Sequence, residues 1–351
     1  MKKLKVGLIG YGVGGRVFHE PIISSVDGFE LHKIFSRSGS SNDLLIGKYD
    51  KSIIADKIED IFLDSEIDLV VIALPNYLHF DMAKKALENY KHVLVEKPFT
   101  VTPEEANQLI ALSQKMGRVI SVNHNRRYDS DFRTVKKILD AGFLGNIVEY
   151  EAHFDRFRSE VMSNSWKEDI EPGSGILYDL GSHLIDQVQQ LFGLPEEIFA
   201  CLDTQRENAK TIDNFDILLK YKTFTARLKA GMLVREQGPR YMIHGSKGSF
   251  VKYGMDVQES SLKTGELPLD KSEWGKEPEA IWGTLNTDIN DIHVCGKVES
   301  EQGDYTIVYK NLYDAICGND KLKITPQQAR NTIRIIELAQ KSSELKAWVS
   351  L

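Results

Sequence analysis

The chain has 351 residues, which suits two domains of ordinary size better than one. Its 44 basic and 51 acidic side chains give a net charge of −7, and no basic stripe stands out, which argues against a nucleic-acid partner. The apolar runs are strand-sized and the first residues lead straight into a strand pattern, so neither a membrane span nor a signal peptide is predicted. Because Cys201, Cys295 and Cys317 lack metal-ligand spacing, we expect reduced, mostly buried thiols in a cytoplasmic protein without a metal.

In the first part of the chain, short apolar runs alternate with helical periodicities. Strands are predicted at residues 4–10, 30–35, 69–74, 92–96 and 119–122, with a weaker one at 53–54. Helices are predicted between them at residues 14–26, 58–63, 79–88 and 103–116. This alternation predicts a Rossmann domain with a doubly wound parallel sheet over residues 1–123.

After about residue 123 the pattern changes to period-two alternation with short turns. The alternating segments are 147–157, 215–221, 225–232, 240–244 and 249–253. Helices are predicted at residues 132–141, 178–192, 305–317 and 326–341, and the polar stretch 268–301 suggests a surface excursion or lid. The pattern predicts an α/β domain with an antiparallel sheet over residues 124–351, whose last helix could pack on the first domain.

A glycine-rich segment follows the first predicted strand directly. It consists of Gly10, Tyr11, Gly12, Val13, Gly14 and Gly15. Gly10 can make the tight turn, Gly12 lets the backbone approach a pyrophosphate, and Gly15 lets helix and strand pack closely. The following helix N-terminus offers N–H donors and partial positive charge. Glycines also cluster in ordinary turns, but this strand–turn–helix context favours a dinucleotide site.

The end of the second predicted strand indicates which dinucleotide is preferred. NAD-preferring sites place a carboxylate there, which accepts hydrogen bonds from the ribose hydroxyls. Here the strand ends in Ser36, Arg37 and Ser38. The Arg37 guanidinium suits a 2′-phosphate and the serines add neutral donors, so NADP is favoured over NAD. A solvated surface arginine is the alternative.

Two further patterns offer groups for acid–base chemistry. Lys97 follows a predicted parallel strand and precedes Pro98, a candidate cis peptide, so it should face a nicotinamide at the carboxyl edge of the sheet. Asp179 and His183, four residues apart on a predicted helix, share one face, where a carboxylate can orient an imidazole as general base. A surface lysine and a structural Asp–His pair are the ordinary alternatives.

Taken together, the motifs resemble the Gfo/Idh/MocA oxidoreductase family over essentially the whole chain. The segments that carry the resemblance are 10–15, 75–79, 96–98 and 179–183. Longer strings at 124–129, 153–158, 178–183, 240–245 and 252–254 resemble more closely its NADP-dependent scyllo-inositol dehydrogenase branch. The resemblance implies a second domain with a large, mainly antiparallel open sheet, and a homodimer or homotetramer formed through it.

The resemblance also implies roles for individual residues. It assigns Lys97, Asp179 and His183 to catalysis. It places Pro75, Asn76, His79 and Glu96 along the cofactor, and Asn125 and Arg127 near the nicotinamide or substrate. We add five polar or aromatic substrate candidates from the second domain: Asp155, Arg156, Arg158, Trp166 and Tyr178. Surface ion pairing is the alternative for the two arginines among them, and His124 suits a pocket or a structural role equally.

The predicted function is hydride transfer between NADP(H) and a secondary alcohol of a cyclitol or sugar, with scyllo-inositol as the substrate implied by the resemblance. Two other functions fit the same scaffold. A ligand-sensing regulator would keep the dinucleotide site and lose the proton-transfer groups, whereas a nicotinamide-dependent glycosidase would cleave glycosides without net NADPH formation.

Overall fold

The computed structural model describes residues 3–37, 40–163, 165–269 and 272–351. The strands of the described chain are β1 Leu4–Ile9, β2 Phe29–Phe35, β3 Leu69–Ile72, β4 His92–Val95, β5 Ile120–Val122, β6 Ile147–His153, β7 Glu197–Asp203, β8 Asn214–Lys220, β9 Thr225–Gly231, β10 Tyr241–Gly245, β11 Gly248–Lys252, β12 Gly283–Ile289, β13 Ile292–Val298 and β14 Val349–Ser350. The α-helices are α1 Glu20–Ser25, α2 Ser40–Lys48, α3 Glu59–Phe62, α4 His79–Glu88, α5 Pro103–Met116, α6 Ser130–Asp140, α7 Ser182–Phe192, α8 Gln258–Thr264, α9 Thr306–Cys317 and α10 Pro326–Leu345.

The first sheet is parallel and has the order β2-β1-β3-β4-β5. All four residues of β3 are buried, as expected for an apolar strand that is covered on both faces. This sheet confirms the predicted Rossmann architecture. The expected strand at 53–54 is wrong, because Ile54 makes only an isolated bridge with Ile34 and adds no strand to the sheet.

The second sheet has the order β13-β12-β11-β10-β6-β9-β8-β7-β14 and is mainly antiparallel, as predicted. Its one parallel pair among the described strands joins β6 to β9. Alternate residues of β8, such as Phe215 and Ile217, are buried, and the residues between them are only partly covered. One face therefore belongs to the core, while the other is open.

A surface excursion was expected over residues 268–301. This expectation is wrong for residues 283–298 of the described chain, because they form the edge hairpin β12–β13. The thiols also differ from expectation: all three cysteines are exposed. Cys201 occupies an outward position of β7, and Cys295 lies on β13, where all but one residue is exposed. For these two cysteines, the position on the strand decides the exposure of the side chain more than its apolar character does.

Two predicted helix starts are confirmed by their capping hydrogen bonds. Thr102 Oγ1 accepts from the Glu105 backbone N–H at 3.2 Å, while the Glu105 side chain accepts from the Thr102 N–H. Thr325 and Gln328 make the same reciprocal pair at the start of α10. Such boxes stabilise helix ends by satisfying N–H groups that have no partner inside the helix.

The chain divides into two compact units, each made of three chain segments. Unit 1 comprises Met1–Asn125, Gln258–Trp274 and Asp304–Arg330, and unit 2 comprises Arg126–Val257, Gly275–Gly303 and Asn331–Leu351. The expected ranges, 1–123 and 124–351, were continuous, whereas α8, α9 and the start of α10 group with the first unit. Ser121 fixes this return of the chain by donating to the Ile324 carbonyl at 2.9 Å. Among the described helices, none is long and apolar enough to cross a membrane.

Candidate active site

The glycine turn lies at the carboxyl end of β1, and its three key glycines differ in what surrounds them. Gly10 has a φ of +99°, and a Cβ there would lie 2.3 Å from the Ala73 carbonyl oxygen. A Cβ on Gly15 would lie 1.9 Å from the Gly10 oxygen. At Gly12, by contrast, a Cβ would meet nothing within 4 Å. Gly10 and Gly15 are therefore required by the fold itself. Gly12 leaves open space in which a ligand could approach the protein backbone closely.

These surroundings predict opposite effects for two glycine substitutions. Gly12→Val should leave the thermal unfolding midpoint nearly unchanged but weaken NADPH binding by about tenfold or more, because the side chain fills the open space. Gly15→Ala should instead destabilise the fold, since its methyl group overlaps the Gly10 carbonyl. Calorimetry and fluorescence titration with NADPH measure the two effects. Normal NADPH affinity in a well-folded Gly12→Val protein would remove Gly12 from the cofactor site.

The helix after the glycine turn begins irregularly. Residues Gly14–His19 form a π-helical turn, and α1 follows with Pro21 as its second residue. A wide turn before a proline, which has no N–H to donate, replaces the regular helix expected at 14–26. Tyr11 is buried in the turn and packs edge-on against Tyr49, at 6.5 Å between ring centroids. Val13 is 58% exposed, so the turn presents its middle to solvent.

The end of β2 lies directly beside the glycine turn. Gly10 donates its N–H to the Phe35 carbonyl at 2.8 Å, and Ser36 and Arg37 follow Phe35. Arg37 is exposed, and no carboxylate among the described residues pairs with its guanidinium. Ser38 lies outside the described residues. A guanidinium without a carboxylate partner in the described part of the chain suits the phosphate role expected of it.

The segment after β3 carries Pro75, Asn76 and His79. Asn76 is 6% exposed and begins a short 3₁₀ turn that Pro75 precedes. His79 is fully buried, with Nδ1 2.8 Å from the Pro98 oxygen and Nε2 2.9 Å from the Leu74 oxygen. Burial lowers the pKa of His79 although both carbonyl contacts oppose this shift. Its ring thus ties the loops after β3 and β4 together at the carboxyl edge of the first sheet.

Lys97 follows β4 and is half-buried, and the Lys97–Pro98 peptide bond is cis, as predicted. The Glu96 carboxylate beside it accepts from Asn123 Nδ2 at 2.6 Å and from the Lys97 backbone N–H at 3.0 Å. Burial alone would raise the pKa of Glu96, but the contact with His19 and the charge of Lys97 hold it at about 2. Glu96 is therefore ionised throughout the working pH range.

Unit 2 carries Asp179 and His183. Asp179 lies in a second π-helical turn, Leu177–Gly181, and His183 in the first turn of α7, so the single helix expected at 178–192 is divided. Lys167 donates to Asp179 Oδ1 at 2.8 Å. His183 is 6% exposed and its ring stacks on Phe154, at 6.4 Å between centroids and 27° between planes. π turns of this kind occur frequently at functional sites.

Phe154 is also surrounded by guanidinium groups. Those of Arg126, Arg156 and Arg240 lie 4.9–5.0 Å from the centre of its ring. Arg126 pairs with Asp129 at 3.1 Å and Arg240 lies 3.5 Å from Asp131. The charges around the His183 ring are therefore largely balanced inside the protein.

Arg127 makes a bidentate ion pair with Asp186 on α7. Its Nε and Nη2 donate to the two carboxylate oxygens at 2.7 and 2.6 Å, and both side chains are buried. Gln187, the next residue of α7, donates to the Arg126 carbonyl at 2.9 Å. These contacts hold α7, the helix that bears His183.

The remaining site predictions fall in different environments. Asn125 and Tyr178 are buried, Trp166 is partly exposed, and Arg158 is exposed. Asp155 accepts from the Gly231 backbone N–H at 3.2 Å and lies 3.1 Å from His153 Nδ1. His124 is 1% exposed and belongs to unit 1. Among the substrate candidates, the structure brings Arg156 and His183 together around Phe154, while Asp155 joins His153 at the sheet.

The sequence predicts no metal site, but one group of side chains in the described part of the chain has the residue types of metal ligands. Single ligand atoms of His32, Asp64 and Glu66 lie within 4.8 Å of one another. However, Lys33 pairs with Asp64 at 2.8 Å and Lys5 with Glu66 at 2.8 Å. The lysines already neutralise both carboxylates, so the group is an ion-pair network at the edge of the first sheet.

Sequence reasoning did not single out two residues of these sites. His19 contacts Glu96, and Lys167 contacts Asp179. His19 follows Gly15 by one helical turn, and a histidine within the apolar stretch Val17–Ile23 is a signal that could have been noticed. Lys167 has no such signal, because it pairs with a residue twelve positions away across an irregular loop.

Comparison with known proteins assigns both halves of the chain. The NAD-binding Rossmann-fold model of the Gfo/Idh/MocA oxidoreductase family matches residues 4–124. The model of the family's C-terminal alpha/beta domain matches residues 136–351. Together the two models cover nearly the whole sequence.

Individual relatives cover the full length as well. The scyllo-inositol 2-dehydrogenase (NADP+) IolW of Bacillus subtilis is 38% identical over 99% of this chain and 96% of its own length. The uncharacterised oxidoreductase YdgJ of Escherichia coli is 40% identical over 99% of both chains. The solved structure of the oxidoreductase YvaA from Bacillus subtilis superimposes with a TM-score of 0.94 at 37% identity, covering 100% of this chain and 99% of its own.

Proposed function

The chain belongs to the Gfo/Idh/MocA oxidoreductase family, and on this premise we propose that it transfers hydride between NADP(H) and a secondary alcohol of a cyclitol or sugar. The first substrate to test is scyllo-inositol, with its 2-keto form as the product. The proposal draws its substrate from a relative, IolW, whose name states that reaction and whose sequence matches this chain over nearly its full length.

The observation that carries the proposal is the position of Lys97. It follows β4 at the same edge of the sheet as the glycine turn after β1, with only β3 between the two strands. Ligands of open α/β sheets bind at this edge, so Lys97 lies where a substrate would bind beside the nicotinamide. The charge of Lys97 is in turn one of the causes that keep the pKa of the neighbouring Glu96 low.

The residues present fit a dinucleotide, because Gly12 leaves open space and Arg37, which has no carboxylate partner among the described residues, follows the strand end that bonds the glycine turn. The nicotinamide supplies the hydride acceptor or donor when bound. In alcohol oxidation, neutral His183 takes the hydroxyl proton as the C–H bond breaks. Lys97 donates a hydrogen bond to the developing alkoxide and stabilises its charge, and Asp179 holds the hydroxyl or the imidazole. The reduction uses the same groups in reverse.

The charge balance in unit 2 supports a neutral substrate. Arg126, Arg127 and Arg240 each face a carboxylate, and Lys167 pairs with Asp179. A phosphate or carboxylate on the substrate would have to displace these internal partners. A polyhydroxylated neutral ring needs hydrogen bonds instead, because an unmet buried donor or acceptor costs about 1–3 kcal/mol.

An absorbance assay with NADP+ and NAD+ across inositol isomers and aldoses tests the function. A dehydrogenase gives stoichiometric formation of reduced cofactor with one of these polyols. A glycosidase cleaves a glycoside panel without net cofactor reduction, and a sensor binds cofactor and polyol without turnover. Either of the last two outcomes would replace the proposal.

The preference for NADP depends on Arg37. Arg37→Ala should weaken NADP+ binding by about ten- to a hundredfold and leave NAD+ binding almost unchanged, because only NADP+ carries the 2′-phosphate. Arg37→Lys is the matched variant, which keeps the charge and loses the bidentate geometry, and it should fall between the two. Equal loss of both cofactors in Arg37→Ala would refute the phosphate role.

We further propose that the chain forms a homodimer or homotetramer through the open face of the second sheet, and that its partners are small polyols rather than nucleic acid or membranes. The support is the exposure of apolar side chains there and at the sheet edge, including Val148 at 56% and Ile292 at 67%. Light scattering in solution distinguishes these states from a monomer.

A further inference from the structure

A buried chain of polar contacts runs through unit 1 below the glycine turn. His19, the last residue of the π-helical turn, is fully buried. Its Nδ1 lies 2.6 Å from the Tyr309 hydroxyl on α9, and its Nε2 lies 2.9 Å from Glu96 Oε1. The other Glu96 oxygen accepts from the backbone N–H of Lys97. The contacts thus connect the turn, by way of one carboxylate, to the backbone of the lysine.

The protons in this chain can be assigned from the donors and acceptors. A carboxylate only accepts, so the 2.9 Å approach of His19 Nε2 to Glu96 favours a proton on that nitrogen, and the pair is an ionic contact rather than an aligned hydrogen bond. Burial raises the pKa of Tyr309 well above its ordinary value, so its hydroxyl stays protonated and donates to Nδ1. His19 is thereby fixed in one tautomer and one ring orientation by a residue nearly three hundred positions away in the sequence.

We propose that His19 is a positioning residue that holds Glu96, and through it Lys97, in the geometry needed for hydride transfer. The inference rests on the proposed function and extends it to a residue that touches neither substrate nor reacting atoms. Asn123 Nδ2 and His19 Nε2 approach the same oxygen of Glu96, Oε1, while the Lys97 N–H bonds Oε2. His19 adds a contact from a different element to the single hydrogen bond of Asn123, and so restricts the movement of the carboxylate further.

The arrangement also explains why α9, although distant in sequence, groups with unit 1. Tyr309 packs edge-on against His19 and Phe29, at centroid distances of 6.2 and 5.6 Å. A Cβ on Gly28 would meet the ring of Tyr313 on the same helix at 2.5 Å. The helix is therefore held tightly against β2 and the turn, and Tyr309 presents its hydroxyl at a fixed place.

The first test needs neither cofactor nor substrate. Hydrogen–deuterium exchange of the Lys97 amide, read by mass spectrometry on peptides spanning residues 96–99, should be at least about tenfold faster in His19→Leu than in the wild type. His19→Gln, which keeps an N–H donor, should restore part of the protection, and Tyr309→Phe should give an intermediate rate. His32→Leu, a half-buried histidine on β2, is the matched control and should exchange as the wild type does. Unchanged exchange in both His19 variants would overturn the proposal.

The second test separates positioning from binding. In His19→Leu we expect kcat to fall about ten- to a hundredfold while the dissociation constant of NADPH changes less than about threefold. A merely structural role would instead lower kcat, NADPH affinity and thermal stability together, without rescue by glutamine, and would refute the positioning role. If the wild type turns over no polyol, the proposed function fails while the exchange result still decides whether His19 holds Lys97.

Discussion

His183→Ala is expected to lower kcat by about 10²–10⁴-fold, which is the usual contribution of a positioned general base. The polyol KM should change far less, because the imidazole acts mainly on the proton that moves in the transition state. Phe154 and the buried residues at the start of α7 surround the imidazole and remain in the variant. The experiment is therefore expected to measure the loss of the base rather than a collapse of the site. Steady-state kinetics with NADP+ and scyllo-inositol give both constants.

His244→Ala is the matched control for that experiment. His244 lies on β10 in the same unit and bonds Ser249 at 2.7 Å, and no role in catalysis is assigned to it. Its removal should leave kcat within about twofold of the wild type. Wild-type turnover in His183→Ala would reject His183 as the base.

Arg127→Met is expected to destabilise the protein by about 3–5 kcal/mol, because it leaves the Asp186 carboxylate buried without its bidentate partner. The change should appear as a lower free energy of unfolding in urea, measured by circular dichroism. Under conditions where the variant remains folded, its NADPH affinity should stay close to that of the wild type.

Arg158, an exposed arginine among the predicted substrate residues, provides the comparison. Arg158→Met should alter the unfolding free energy by no more than about 0.5 kcal/mol, as surface substitutions usually do. If Arg127→Met instead unfolds normally and raises a ligand dissociation constant, Arg127 touches cofactor or substrate directly.

Local patterns predicted the first sheet well because four of its five strands, all except the edge strand β2, are almost entirely buried. Leu69–Ile72 is entirely apolar and could be read directly as a covered parallel strand. The hairpin β12–β13 was missed for the opposite reason. The inward positions of β12 are Gly283, Leu285 and Thr287, of which only Leu285 is a large apolar residue. Ile292, Val294 and Val298 alternate along β13, but this strand is short, polar between them and mostly exposed, so the pattern did not stand out from the charged segment around it.

The candidate site shows the same division between local and distant causes. Lys97 could be placed from sequence because the end of a parallel strand fixes which edge of the sheet its residue occupies. The partner of Arg127 could not, because Asp186 lies 59 positions away and nothing local distinguishes a buried ion pair from a ligand contact. The two π turns also escaped prediction, since their apolar spacing differs little from that of an ordinary helix.

The exposed thiols offer a practical route to measuring movement. Cys317 belongs to unit 1, whereas Cys201 and Cys295 belong to unit 2, and all three accept maleimide dyes without opening the core. After Cys295→Ser, a donor–acceptor dye pair on Cys201 and Cys317 would report the distance between the two halves of the molecule by fluorescence energy transfer. Titrating NADPH and then polyol against that signal would show whether catalysis proceeds with a rigid or a hinged protein.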